Sequence, residues 1–405
     1  MTGAMRPFSL LVKPASADCN LRCDYCFYLD RAALYPGTAP HRMSDEVLRR
    51  VISSYLATEQ PQYAFGWQGG EPALMGAAFF RRAAELQQRY GRPGAVVANG
   101  LQTNATLLDD ELCAVLAQYR FLAGVSMDGP QEIHDLHRKA SGGQGSHARV
   151  LRGMEVLRRH GVEFNVLTLV TAANEARAAE VYHYLRELGV FYHQYIPCVE
   201  SDAAGAPAPF SVSPQGWGRF LCGLFEAWYP RDVGRVSVRL FDAVVNRLAF
   251  GRYDLCHMGG DCRRYFVVEH NGDVYPCDFF VRPELRLGNI MERDWDFFLA
   301  SPIHAAFSGV KTAWPAECQA CEYLSLCSAD CPKHRPAGGS TALQPSRLCE
   351  GWRAFYAHAL PRLAELAGRL RRARGLPAAP PREPGRNELC YCGSGRKYKR
   401  CHARP

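Results

Sequence analysis

What this chain lacks narrows its setting before any motif is considered. No uncharged apolar stretch in its 405 residues approaches the roughly 20 needed to cross a bilayer as a helix. The first residues show none of the basic, apolar and small-residue succession of an export signal. A cytoplasmic protein without membrane insertion is the expectation. Repeats of solenoid length are absent, which excludes a stacked-repeat architecture. Acidic excess is missing too, but the net charge of +8 does not describe the body of the chain. Residues 369–405 hold eleven Lys/Arg against two Glu, a balance of +9, so the preceding 368 residues sum to about −1. A basic stripe for nucleic acid is therefore a property of the tail alone.

Cysteine, by contrast, is abundant at 17 residues. With no export signal, and with the cysteines grouped, metal ligation is favoured over a disulfide framework. Cys19, Cys23 and Cys26 form a C-x3-C-x2-C loop just after an apolar run. Three soft thiolates suit three irons of a cubane cluster and leave the fourth iron open for an exchangeable ligand. A structural zinc loop is the alternative, although zinc usually takes four ligands from paired knuckles. Further on stand Cys256, Cys262 and Cys277, then Cys318, Cys321, Cys327 and Cys331, then Cys349. Eight thiolates complete two four-cysteine clusters or two zinc sites, and ligand arithmetic does not choose between them. Cys113, Cys198 and Cys222 stand outside these groups and fit small buried apolar positions.

A 47% hydrophobic chain of this length supports two or three domains. Strands are expected at Phe8–Lys13, Tyr63–Trp67, Ala95–Thr103, Phe121–Ser126, Phe164–Val170 and Tyr192–Pro197, alternating with helical patterns. Ser44 is positioned to cap a helix whose apolar face is Val47, Val51, Ile52, Tyr55 and Leu56. Six such units predict a parallel sheet, consistent with an open (β/α)6 partial barrel, while periodicity alone also allows a doubly wound sheet. A cysteine loop after the first strand favours the barrel, where strand C-terminal ends carry the chemistry. Ser201–Pro214 is expected as a surface loop, 264–277 as a hairpin turning at Gly272, Trp352–Arg372 as a helix and Gly375–Gly385 as a linker.

Gly69-Gly70-Glu71-Pro72 ends the second unit. Glycines let a backbone approach a ligand closely, and a carboxylate can accept bonds from an ammonium, although an isolated motif of this kind is also an ordinary turn. Gln68, Asn104, Ser126 and Asp128 sit at strand ends, suited either to hydrogen-bonding a ligand or to turns and caps. Arg138 can clamp a carboxylate or be a solvated charge. Tyr28 can line a pocket or pack in the core. Asp278, directly after Cys277, can be a general base or a hairpin cap.

The three-cysteine loop and Gly-Gly-Glu-Pro together resemble the radical S-adenosylmethionine (SAM) enzymes. The array of eight later cysteines is similar to the SPASM domain of anaerobic sulfatase-maturating enzymes, over roughly residues 5–370. The resemblance implies a partial (β/α)6 barrel over 1–235 and a SPASM domain over 236–370, with a linker over 371–386. It implies that SAM binds the open iron and that Gly69, Gly70 and Glu71 receive its amino group; Gln68, Asn104, Ser126 and Asp128 are candidates around that ligand by their strand-end places, and Tyr28 is a candidate for the pocket beside it. One auxiliary 4Fe-4S cluster would be held by Cys256, Cys262, Cys277 and Cys331, and another by Cys318, Cys321, Cys327 and Cys349. Asp278 matches the family's catalytic base. The implied reaction is oxidation of a cysteine or serine in a sulfatase to Cα-formylglycine, with flavodoxin or ferredoxin as reductant. Thioether-forming SPASM enzymes and a non-catalytic electron-transfer protein are the competing readings. Residues 387–405 resemble the SEC-C motif, which implies Zn2+ on Cys390, Cys392, Cys401 and His402. Its Lys and Arg suit an acidic protein surface or ribosomal RNA, and a zinc-dependent nucleic-acid adaptor is the reading the tail alone would suggest.

Overall fold

The computed structural model describes residues 7–37, 39–202, 204–336, 344–377, 387 and 396–400. The chain divides into two compact units, one of residues 1–169 with 262–309, the other of 170–261 with 310–405. These units interleave along the sequence.

The first unit is built on β1 (Ser9–Lys13), β2 (Gln62–Trp67), β3 (Val96–Thr103), β4 (Leu122–Ser126) and β5 (Phe164–Val170), hydrogen-bonded in chain order and all parallel. Each of the five matches an expected strand to within a residue or so. Helices return the chain between strands. The first of them, Asp45–Leu56, starts where Ser44 Oγ accepts the Val47 N–H at 3.2 Å, and it buries Val47, Leu48, Val51, Ile52, Tyr55 and Leu56. Capping of this kind contributes about 1 kcal/mol. The apolar face does more, because each fully buried aliphatic side chain is worth about 1.5–3 kcal/mol.

On the other side of β1 lies β8 (Tyr265–Glu269), which pairs with it in parallel and then turns at Gly272 (φ +90°) into antiparallel β9 (Asp273–Tyr275). The hairpin was expected; its attachment to the first strand was not. In this register Lys13 lies opposite Glu269.

The second unit contains the parallel pair β6 (Tyr192–Pro197) and β7 (Ser237–Val238) with helices Ala178–Glu187, Pro214–Trp228 and Arg239–Phe250. A 25-residue helix, Cys349–Ala373, packs on Pro214–Trp228. They cross at glycine: a Cβ on Gly351 would sit 2.4 Å from the Pro214 carbonyl oxygen. Trp217 and Trp352 meet edge-to-face at 5.4 Å beside that crossing. Of the expected loop, residues 201–202 and 204–213 form neither helix nor named strand, and short backbone bridges join Ser201 to Pro207 and Ser211 to Thr171. No helix of the described residues is long and apolar enough to cross a membrane.

Candidate active site and cluster ligands

The three-cysteine loop leaves the C-terminal end of β1 through a tight turn, in which Ser16 takes φ +48° and the Ser16 and Asp18 N–H groups bond back to Lys13 and Ala15. The Gly-Gly-Glu-Pro loop, at the end of β2, is fastened to that turn. Gly70 N–H donates to the Ser16 carbonyl at 2.6 Å and Glu71 N–H to the Asp18 carbonyl at 2.8 Å. A Cβ on Gly70 would lie 2.0 Å from the Asp18 oxygen, and Gly69 adopts φ +144°. Both glycines are thus required for contact with the chain entering the cysteine loop, a role that precedes any ligand.

Glu71 is fully buried. Its carboxylate accepts from Ala73 N–H (2.9 Å), Thr103 Oγ1 (2.7 Å) and Asn104 N–H (2.7 Å), which leaves one acceptor position on Oε2. Desolvation pushes its pKa up to about 7 against those bonds. Asn104 reaches the other way, its Nδ2 donating to Asn20 Oδ1 at 2.9 Å and lying 3.7 Å from Cys19 Sγ. Ser126 Oγ accepts from Gln102 Nε2 at 3.1 Å, and Gln68 is half-buried with its N–H on the Val12 carbonyl.

Asp128 has little acceptor capacity left for a ligand: it takes Tyr25 Oη, both Arg138 Nε (2.9 Å) and Nη2 (3.1 Å), and Leu169 N–H (2.9 Å). Arg138 is the clamp rather than a solvated charge, and what it clamps is Asp128. Its side chain is 11% exposed and Asp128's 3%. Although burial raises the Asp128 pKa, Arg138 more than offsets this and holds the carboxyl below the usual range. Because Tyr25 lies between Cys23 and Cys26, this buried ion pair anchors the cysteine loop to the end of β4.

Tyr28 packs in the core of the first unit. It is 2% exposed, packs with Val267, Tyr275 and Val281, and donates its hydroxyl to Glu269. Lys13 Nζ lies 4.3 Å over its ring.

Asp278 sits on the short turn after Cys277. Tyr265 Oη donates to its Oδ1 at 3.0 Å, and Lys13 Nζ is 3.9 Å from Oδ2. Lys13 is buried at 1% exposure; desolvation lowers its pKa while Asp278, Glu269, Cys277 and Cys26 oppose the fall. Lys13 thus reaches both Asp278 and the ring of Tyr28, two residues beyond Cys26. Sequence reasoning missed both Lys13 and Tyr265. The available signal was a lysine inside an apolar strand.

The thiols fit metal ligation by their donor set and burial. Desolvation pushes Cys19 up to about 11 and Cys23 up to about 12, so a cation must supply the charge that keeps them as thiolates. Among the described residues no three metal-ligating side chains close on a point suited to a single ion. A four-iron cube differs in offering each thiolate its own iron.

In the second unit burial raises the thiols of Cys318, Cys327, Cys331 and Cys349; lesser contributions come from Cys349 and Cys321 at Cys318, from Cys349 at Cys327, from Cys256 at Cys331 and from Cys321 at Cys349. Cys262 and Cys277 belong to the first unit. Between Cys327 and Cys331 the residues Ser328, Ala329 and Asp330 all take left-handed φ of 48°, 55° and 57°. This conformation costs about 1–2 kcal/mol per non-glycine residue. It is held by the buried Lys311, whose ammonium donates to the carbonyls of His257 (2.8 Å), Ser328 (2.7 Å) and Asp330. The Asp330 carboxylate accepts from His334 and Ser346. Cys390, Cys392, Cys401 and His402 lie outside the described residues.

The Radical SAM superfamily model matches residues 14–185, the iron-sulfur cluster-binding domain model residues 256–322, and the SEC-C motif model residues 386–404. The serine-type anaerobic sulfatase-maturating enzyme of Bacteroides thetaiotaomicron is 38% identical over 376 residues, spanning 88% of this chain and 90% of that protein. The cysteine-type enzyme of Clostridium perfringens is 35% identical over 371 residues, spanning 91% and 100%. The solved structure of native anSMEcpe with bound AdoMet and Cp18Cys peptide superposes with a TM-score of 0.84 at 35% identity, covering 90% of this chain and 100% of that one.

Proposed function

This chain belongs to the anaerobic sulfatase-maturating enzymes of the radical SAM superfamily, and from that premise we propose that it oxidises a cysteine or serine of a sulfatase polypeptide to Cα-formylglycine. Its cofactors are iron–sulfur clusters and SAM. We assign three 4Fe-4S clusters: one on Cys19, Cys23 and Cys26, one on Cys256, Cys262, Cys277 and Cys331, and one on Cys318, Cys321, Cys327 and Cys349. When bound, these clusters supply the electron that splits SAM into methionine and a Cβ-hydrogen-abstracting adenosyl radical, and a sink for the electron the substrate gives up.

The protein's own part is positioning and proton transfer. Asp278 takes the proton of the substrate thiol or hydroxyl, its Oδ1 occupied by Tyr265 and its Oδ2 steered by the Lys13 charge. Gly70 and Glu71 keep the SAM-amine loop fixed to the entry of the cysteine loop. Asp128 and Arg138 hold that loop from its far side through Tyr25.

The observation that carries the reading is the Asp278 carboxylate, adjacent to Cys277 and held by Tyr265 and Lys13 in the same compact unit as the three-cysteine loop. The supporting relatives include both serine-type and cysteine-type enzymes, so both substrates enter the test. Anaerobic reconstitution with iron, sulfide, SAM, reductant and a sulfatase-motif peptide carrying Cys or Ser should yield 5′-deoxyadenosine and a formylglycine peptide by mass spectrometry. Deoxyadenosine with an unmodified peptide would refute the substrate assignment and leave the radical chemistry standing.

The reductant is a flavodoxin or ferredoxin in this reading, and the setting is the cytoplasm. The tail binds Zn2+ through Cys390, Cys392, Cys401 and His402 and contacts a protein partner or the ribosome. Support for the tail's role comes from its SEC-C match and its basic composition.

A further inference from the structure

Ser126 closes β4 at the C-terminal edge of the sheet, the edge from which the cysteine loop and the Gly-Gly-Glu-Pro loop also leave their strands. Val125 pairs with Thr103, which sets Ser126 level with Asn104 one strand over. Asn104 N–H in turn holds the Glu71 carboxylate at 2.7 Å. The serine is half-buried, and Gln102 Nε2 donates to its Oγ at 3.1 Å. That bond fills a lone pair of a hydroxyl with one hydrogen, so the hydrogen must point away from the amide. Among the described residues no protein acceptor takes it; Asn165, in register with Gly124, has its buried Oδ1 without a donor. Gln102 reaches Ser126 by lying across Gly124, its neighbour in the pairing of β3 and β4. A Cβ on Gly124 would sit 2.2 Å from Gln102 Oε1 and 3.1 Å from its Cδ, while the next atom, Leu167 Cδ1, stays 3.3 Å away. Gly124 is therefore the slot in which the Gln102 amide rests.

We propose that Gln102 is a positioning residue for SAM: its amide sets the Ser126 hydroxyl as a donor toward an acceptor oxygen of the bound ligand, and Gly124 supplies the space that this requires. The inference rests on the reading that Ser126 borders SAM. Gln102 acts through the serine and does not itself touch the ligand. A hydroxyl already turned toward the ligand loses no rotational freedom and breaks no competing bond when SAM arrives, which is the gain that preorganisation gives.

The test uses the full chain, anaerobically reconstituted, with iron per chain quantified and SAM binding read by equilibrium dialysis. Ser126→Ala removes the donor and should weaken SAM about tenfold. Gln102→Ala should weaken it about fivefold alone but less than about twofold in the Ser126→Ala protein, because its effect passes through that hydroxyl. Gln102→Glu keeps the shape and offers only acceptors, so it draws the serine hydrogen off the ligand; SAM should then bind as weakly as to Ser126→Ala. Gly124→Ala should displace the amide and weaken SAM about fivefold in the wild-type background, yet have almost no effect in the Gln102→Ala protein. Should an alanine variant lose iron, the isosteric Gln102→Glu decides. Equal losses from Gln102→Ala with and without Ser126, or native affinity in Gln102→Glu, overturn the positioning role. A fully loaded wild-type protein that binds no SAM, or a Ser126→Ala protein that binds it normally, overturns instead the placement of SAM on which the inference rests.

Discussion

Replacing Arg138 with methionine should damage the first cysteine loop from a distance. In the native protein Asp128 and Arg138 are both nearly inaccessible and joined by two bonds of 2.9 and 3.1 Å. Removing one member of such a pair strands a buried charge, at a cost of about 3–5 kcal/mol. Tyr25 Oη and Leu169 N–H remain as donors to the carboxylate. The lower end of that range, about 3 kcal/mol, is therefore expected. Asp128→Asn with Arg138→Met removes both charges and should cost only about 1–2 kcal/mol, giving a coupling energy of at least about 1 kcal/mol. Because Tyr25 belongs to the loop between Cys23 and Cys26, the single variant should also lose iron from the first cluster. Urea unfolding of the anaerobically reconstituted variants, with iron per chain measured in parallel, gives both quantities. The pair also has a pH signature. Asp128's folded pKa lies below its unfolded value, so its contribution is complete above the unfolded pKa of about 3.9 and is lost as pH falls through the depressed one. An Arg138→Met protein within 1 kcal/mol of wild type, with full iron, or a cycle with additive losses, would refute the anchor.

Three further outcomes follow from the same geometry. Asp278→Asn should lower formylglycine formation at least about 100-fold while SAM cleavage continues, seen as 5′-deoxyadenosine accumulating without peptide product. Gly70→Ala places a methyl 2.0 Å from the Asp18 oxygen and should displace the cysteine loop, with SAM affinity by equilibrium dialysis falling at least about tenfold; native affinity would contradict the packing argument. His134 and His193 are held neutral, with burial lowering them to about 3 and about 4, and each has its ring nitrogens engaged. Their contributions are complete above the unfolded pKa of about 6.5 and diminish as pH falls below it. By pH 5 each should have cost about 2 kcal/mol, so in urea unfolding across pH 5–7.5 the His193→Gln protein should lose about 2 kcal/mol less than wild type.

Much of the framework was legible because its signals are local. Each of the six expected parallel strands is a short apolar run bounded by turn residues, and Ser44 followed by two acids marks a helix start by its own chemistry. Cysteine spacing likewise survives without knowledge of the fold. What stayed hidden depends on pairing between distant segments. Nothing near residue 265 announces that β8 will lie beside β1, and only that pairing brings Lys13 and Tyr265 to Asp278. Arg138 and Asp128 are ten residues apart with a helix between them, so their bidentate contact, and its reach to Tyr25, could not be read from spacing. Tyr28 belongs with these: its place beside the cysteines left pocket lining and core packing equally open, and the bond from its hydroxyl to Glu269 depends on that same strand pair.

The three left-handed residues before Cys331 have a consequence for how the chain tolerates change. None of Ser328, Ala329 and Asp330 is glycine, so the reversal they make is not one the peptide chooses unaided. It exists because a single ammonium, arriving from residue 311, gathers carbonyls from His257, Ser328 and Asp330. The spacing between those two thiols is thus dictated by a residue outside the motif that names them. A relative could keep each of the eight cysteines and still lose the arrangement by losing one lysine.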